Sequence, residues 1–184
     1  MNKKPSRPHS FRRPTTRVLK SIRLFATDVD GVLTDGGMYY SESGQEMKKF
    51  NVWDGMGIKM LQSAGVITCV VTALETKLVA QRGTDLKIPE VHQGVRDKLI
   101  VLQRLAGQHG LSLQEIAYIG DDINDLAALQ SVGFSATPAN GRPELRQTVH
   151  HVCTAKGGEG AVREVVDLIL KAKGVKPKTV IRNP

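Results

Sequence analysis

Little in this chain of 184 residues is aromatic, sulfur-bearing or continuously apolar. No stretch approaches the ~18 consecutive apolar residues that a membrane-crossing helix needs, so no membrane is expected as a partner. Only two cysteines occur, Cys69 and Cys153, far apart and each inside a short apolar run. Buried free thiols fit that placement better than a bridge or a metal site, and they point to a reducing, cytoplasmic setting. Four Phe, three Tyr and one Trp leave the core to be built from Val, Leu, Ile and Ala, which suits an α/β protein. Acid is missing from both ends of the chain. Residues 1–20 hold seven Lys and Arg and three prolines, and residues 171–184 hold five Lys and Arg. Without those twelve, 14 basic residues face 18 acidic ones, so the body carries about −4 although the whole chain is +8. The basic character belongs to the tails, and no nucleic-acid partner is expected. The N-terminal segment lacks the apolar stretch of a signal peptide and is too polar to fold alone. The expected division is a disordered basic tail over 1–20, one domain over 21–174 and a basic C-terminal tail over 175–184.

What is present is a rhythm of short apolar runs and helical patterns, with no internal repeat and no linker. Strands are expected at 22–27 (IRLFAT), 65–71 (GVITCVV), 115–120 (EIAYIG), 132–136 (VGFSA) and 150–154 (HHVCT). Helices are expected at 54–65, 97–110 and 160–174, each ending in glycine. Strands separated by helices predict a doubly wound, mainly parallel sheet of Rossmann-like type, whose ligands sit at the carboxyl ends of its strands. One segment, GGMYYSESGQEMKKF over 36–50, reads instead as a β-hairpin: a plain connection, or a flap over a ligand.

The chemistry-bearing residues fall at strand ends. LFATDVDGVLTD (24–35) places Asp28, Asp30 and Asp35 around Gly31, Thr72 closes VITCVVT, Lys98 opens a helix, and GDDIND (120–125) supplies Asp121, Asp122 and Asp125. Singly, Thr72 and the GDDIND aspartates read equally as helix caps and Lys98 as a solvated side chain. Together they would gather up to five carboxylates in one crevice, an arrangement that demands protons or a cation. Oxygen ligands without a Cys or His pattern select a hard ion, Mg²⁺ first. With such an ion the pattern suits phosphoryl transfer, with Asp28 as nucleophile, Asp30 as general acid and base, Thr72 as a donor to the phosphoryl group and Lys98 as its counter-charge.

DVDGVLTD, VVT, Lys98 and GDDIND, in that order and spacing, resemble the four motifs of the haloacid dehalogenase superfamily of phosphohydrolases. The hairpin after the first motif, KKFNVWDGMGI, QGVRDKL and GGEGAVREV extend the resemblance to a subgroup without a cap domain that acts on 2-keto-3-deoxy sugar acid phosphates. The resemblance implies Mg²⁺ held by Asp28 and Asp121 side chains and the Asp30 carbonyl, with Asp122 and Asp125 orienting metal waters and Lys98. It implies substrate contacts from Thr72, Ala73, Lys98, Asp54 and Gly55, and a homotetramer in which a neighbour helps close the site. The substrate it implies first is 3-deoxy-D-manno-octulosonate 8-phosphate, with a nonulosonate 9-phosphate as the alternative. A module that binds a sugar phosphate or a partner without turnover is the alternative of another class.

Three positions depart from the subgroup's octulosonate pattern. TAL (72–74) stands for TGR, WDG (53–55) for RDG and GGEG (157–160) for GGRG, so three anion-binding arginines are absent. Lys48, Lys49, Arg82, Arg96 and Arg163 are the cations left to replace them.

Overall fold

The computed structural model describes residues 14–175. Most of the predicted tails therefore lies outside the described residues. The N-terminal boundary moves inward, because Thr16–Ser21 form a helix (α1) capped by the Thr15 hydroxyl and seated through Leu19. The disorder predicted as far as residue 20 is corrected there: Val18 and Leu19 give this short segment an apolar face to bury.

Six parallel strands make the sheet, in the order β5-β4-β1-β6-β7-β8. They are β1 Leu24–Thr27, β4 Ile67–Val71, β5 Glu90–His92, β6 Ile116–Ile119, β7 Phe134–Thr137 and β8 His151–Val152. Each of the five predicted strands is present. The sixth, β5, went unread because three residues after Pro89 give no measurable alternation. The helices are α2 Val52–Ser63, α3 Lys77–Asp85, α4 Lys98–Gln108, α5 Leu126–Ser131, α6 Pro143–Arg146 and α7 Ala161–Ala172. Among the described residues no cap domain is inserted, and no helix is long and apolar enough to cross a membrane.

The sheet is covered on both faces, which is why its strands are apolar throughout rather than alternating. Phe25, Val70, Ile119, Phe134 and Ala136 bury themselves with α2 and α7 on one side. Leu24, Ala26, Cys69, Val71, Ile116 and Tyr118 face α4 and α5 on the other. Cys69 and Cys153 are both buried and free.

β1 lies between β4 and β6, and all three run the same way. Their carboxyl ends lead directly into Asp28, Thr72 and Gly120–Asp121, so the central register assembles three separate sequence segments at one edge. The predicted hairpin is present as β2 Tyr39–Tyr40 and β3 Glu46–Met47, antiparallel, with a bridge from Thr34 to Phe50 at its base.

Candidate active site

A cavity of about 280 Å³ opens at the ends of β1, β4 and β6, lined by Asp28, Asp30, Thr72, Ala73, Asp121 and Asn124 among others. Asp28 is buried at 5% exposure and hydrogen-bonds the Val29 amide. Lys98, the first residue of α4, is only 1% exposed and lies between two carboxylates, 2.8 Å from Asp28 Oδ2 and 2.6 Å from Asp125 Oδ1. Its solvated alternative is thereby set aside. Asp97 caps α4 and fixes where the lysine begins its path inward.

Asp125 is fully buried and fully used. Lys98 and the Tyr118 hydroxyl donate to Oδ1, while the Asp121 and Asp122 amides donate to Oδ2. It therefore orients Lys98 and folds the GDDIND turn. Of the two aspartates expected to orient metal waters and Lys98, Asp125 holds the lysine, while the exposed Asp122 side chain lines the cavity and caps the turn through the Ile123 amide. Tyr118 carried no polar signal in the sequence, being one apolar-looking position inside a strand, yet it buries a hydroxyl against Asp125.

The carboxylates crowd one another. Oxygens of Asp28, Asp121 and Asp125 lie within 4.8 Å. Burial, then the neighbouring Asp125 charge, pushes Asp28 up to about 6 in spite of the Lys98 ion pair. Burial, then Asp28 and Asp125, pushes Asp121 up to about 7. Burial works against the charge of Lys98, but Asp28 and Asp125 more than offset it and raise its pKa above the ordinary lysine value. One lysine does not neutralise this group. An all-oxygen cluster with excess negative charge fits a hard divalent cation held by Asp28 and Asp121, because Asp125 is already committed to four donors.

Glycines bring the backbone this close. Gly31 has φ +80°, and a Cβ on it would stand 2.0 Å from Asp121 Oδ2. From the C-terminal side, a Cβ on Gly157 would stand 1.8 Å from the Gly31 carbonyl oxygen. The GGEG segment thus packs backbone against backbone on the Asp30 loop.

Asp54 and Gly55, expected at the substrate, do not reach the cavity. Asp54 is 1% exposed and accepts from the Arg163 amide at 2.7 Å, tying α2 to the start of α7. Gly55 is buried where a Cβ would meet Arg82 Nη2 at 2.5 Å. Both are corrected to packing positions: their side of α2 faces α3 and α7, while Val52, Trp53 and Met56 turn outward. Asp35, which had no assigned role, anchors the hairpin by accepting from Tyr39 Oη at 2.7 Å and from the Gly37 amide.

The candidate cations separate as clearly. Arg82 covers the Phe50 ring and donates to the Asn51 carbonyl, Arg163 pairs with Asp167 and Lys49 with Asp35. Arg96 lines a different surface cavity beside His92 and Arg104. Lys48 reaches Asp30 at 2.5 Å.

A doubly wound sheet with a buried Asp–Lys–Asp array at its switch point, its aspartates supplied by DVDG and GDDIND, defines the haloacid dehalogenase class of hydrolases. The profile of the haloacid dehalogenase-like hydrolase family matches residues 86–165. A 3-deoxy-D-manno-octulosonate 8-phosphate phosphatase of Yersinia pestis is 41% identical over 153 residues, spanning 83% of this chain and 82% of that protein. Its counterpart in Escherichia coli K12 is 39% identical over 155 residues, spanning 84% of this chain and 82% of that one. The crystal structure of the Moraxella catarrhalis phosphatase of the same name, in complex with magnesium, phosphate and KDO, superposes with a TM-score of 0.84 at 42% identity, over 86% of this chain and 91% of that one. The chain belongs to this family of phosphatases, the 3-deoxy-D-manno-octulosonate 8-phosphate branch of the haloacid dehalogenase-like hydrolases.

Proposed function

We propose that this protein is a Mg²⁺-dependent phosphomonoesterase that releases phosphate from 3-deoxy-D-manno-octulosonate 8-phosphate through an aspartyl-phosphate intermediate. The observation that carries the chemistry is the Asp28 carboxylate at the end of β1, facing the cavity with Lys98 at 2.8 Å and Asp30 two residues on. Support for the substrate is the similarity over more than four-fifths of the chain to phosphatases of that name, one of them seen with magnesium and KDO.

In this reading Asp28 and Asp121 side chains and the Asp30 carbonyl would hold Mg²⁺, which would lower the repulsion between an anionic nucleophile and an anionic ester. An Asp28 oxygen attacks phosphorus, the bond from phosphorus to the sugar oxygen breaks, and Asp30 gives that oxygen its proton. Asp30 then takes a proton from water as the water attacks the aspartyl phosphate, freeing phosphate and restoring Asp28. Lys98 offsets charge gathered on the phosphoryl group, Thr72 donates to one of its oxygens with Ala73 beside it, and Asp125 and Tyr118 keep Lys98 aimed.

The assembly is read as a homotetramer working in the cytoplasm. Tyr40, Met47, Val52, Trp53 and Met56 stand exposed on the hairpin and the start of α2, apolar surface that a neighbouring subunit would cover. The neighbour would complete the leaving-group side, where TAL, WDG and GGEG lack arginine.

Phosphate release from the octulosonate 8-phosphate, a nonulosonate 9-phosphate and a panel of phosphorylated sugar acids tests the substrate. The octulosonate ester is expected to have the highest kcat/KM, and turnover of another ester above it overturns that assignment. Asp28→Asn is expected to lose on the order of 10⁴-fold or more in kcat. Unchanged release from that variant would end the nucleophile reading.

A further inference from the structure

Lys48 follows β3, between Met47 and Lys49, both of which face solvent. Its own side chain is 1% exposed. The ammonium donates to Asp30 Oδ1 at 2.5 Å and stands 3.5 Å from Glu46. The other oxygen of Asp30, Oδ2, is buried with no hydrogen-bond partner among the described residues. Sinking an ammonium costs several kcal/mol unless it is paired, so this is not the geometry of a solvated hairpin face.

We propose that Lys48 is the positioning residue of Asp30: it occupies Oδ1 and leaves Oδ2 as the oxygen that trades a proton with the leaving group and then with water. The inference rests on the reading of Asp30 as acid and base. Proton transfer depends on alignment, and a carboxyl group at the start of a loop can turn about its own bonds. Lys48 removes that freedom from outside the loop. The hairpin thereby acts within the reaction as well as beside it, since its placement sets which oxygen of Asp30 is free.

The identity of the leaving group supplies the test. A p-nitrophenolate departs without a proton, whereas a sugar alkoxide needs one. Lys48→Met, Lys48→Arg, Asp30→Asn and the Asp30→Asn/Lys48→Met pair are compared at saturating Mg²⁺. The two esters are p-nitrophenyl phosphate and the octulosonate 8-phosphate, or the best primary-alcohol phosphate of the panel. Because kcat/KM ends at departure of the leaving group and leaves out the water step that both esters share, Lys48→Met is expected to lose roughly 10- to 100-fold in kcat/KM on the sugar ester and less than about threefold on the aryl ester. Lys48→Arg should restore most of the loss, and the double variant should be no slower than Asp30→Asn alone. Turnover of the aryl ester doubles as proof of a folded site, and Lys48→Gln takes the place of Lys48→Met if the latter does not fold. Equal losses in kcat/KM on both esters for Asp30→Asn would overturn the reading of Asp30 as the acid for the leaving group, and the role of Lys48 with it. If Asp30→Asn separates the esters but the Lys48 variant slows both alike, slows neither, or adds fully to Asp30→Asn, the Lys48 proposal fails while that reading stands.

Discussion

At the ends of β4, β1 and β6 the central charged groups are buried and tied to one another, with Lys98 set between Asp28 and Asp125, whereas on the hairpin side two-residue strands carry Tyr40 and Met47 into solvent. The phosphoryl side is complete within one chain. The hairpin side exposes apolar surface, and its Lys48 reaches inward to Asp30. Phosphoryl chemistry depends on a dry, fixed array of charges, while recognition of the departing sugar can be assigned to the surface around it.

The sharpest way to break this contrast is to remove the buried lysine. Lys98→Met leaves Asp28 and Asp125 facing each other without a cation, and is expected to cost about 3–5 kcal/mol of stability. It should also lower kcat on any ester, aryl or sugar, by roughly 10³-fold. Chemical denaturation and initial rates check the two, and a sugar-selective loss would show that the phosphoryl side is not self-contained.

Metal binding is the next probe of the same side. Asp121 and Asp28, raised to about 7 and about 6, must give up protons to bind Mg²⁺. Affinity should therefore fall as pH drops, by about tenfold per unit just below pH 7 and more steeply below 6. Calorimetric titration at several pH values reads this directly, and a flat profile would contradict the crowding of the carboxylates.

On the hairpin side, Trp53→Asp places a charge in the exposed patch. Sedimentation should show smaller species, with KM for the sugar ester up about tenfold and turnover of p-nitrophenyl phosphate within about threefold. Loss of both activities together would mean that the two sides are not separable.

The smallest effect concerns Asp54, which belongs to neither side. Burial holds its carboxyl up at about 6, against an unfolded value of 3.8. The folded protein thus holds this proton more tightly than the unfolded chain does. The stability it contributes is full below about pH 4 and is lost as pH rises through 6. Asp54→Asn keeps an acceptor for the Arg163 amide, and should gain about 1–2 kcal/mol over the parent protein at pH 8. By pH 4 the difference should vanish, as thermal melts of the two proteins across that range would show.

Much of the phosphoryl side was legible in the chain because its parts are short motifs fixed to strand ends. Asp28, Thr72 and Asp121 each close an apolar run, and Lys98 opens a helix behind a capping aspartate. Tyr118 was hidden, because a buried hydroxyl in a strand looks like any other aromatic until its partner is known. Asp54 and Gly55 misled for the opposite reason: they stand beside Trp53 in a motif-like WDG, yet the rotation of α2 turns them toward α3 and α7. Lys48 was one of five candidate cations, and nothing local set it apart from Lys49, one position along a ribbon whose faces alternate.

By itself the sequence carried five of the six sheet strands, the three long helices, the doubly wound and mainly parallel sheet and the candidate carboxylates, since hydrophobic period and motif spacing act along the chain. Only the tertiary structure decided which charges meet. The register of β4, β1 and β6 and the close approach allowed by Gly31 and Gly157, which stand 126 positions apart, set the distances within the site. Electrostatics in a buried site depends on those distances and on the exclusion of water, and neither is written along the chain.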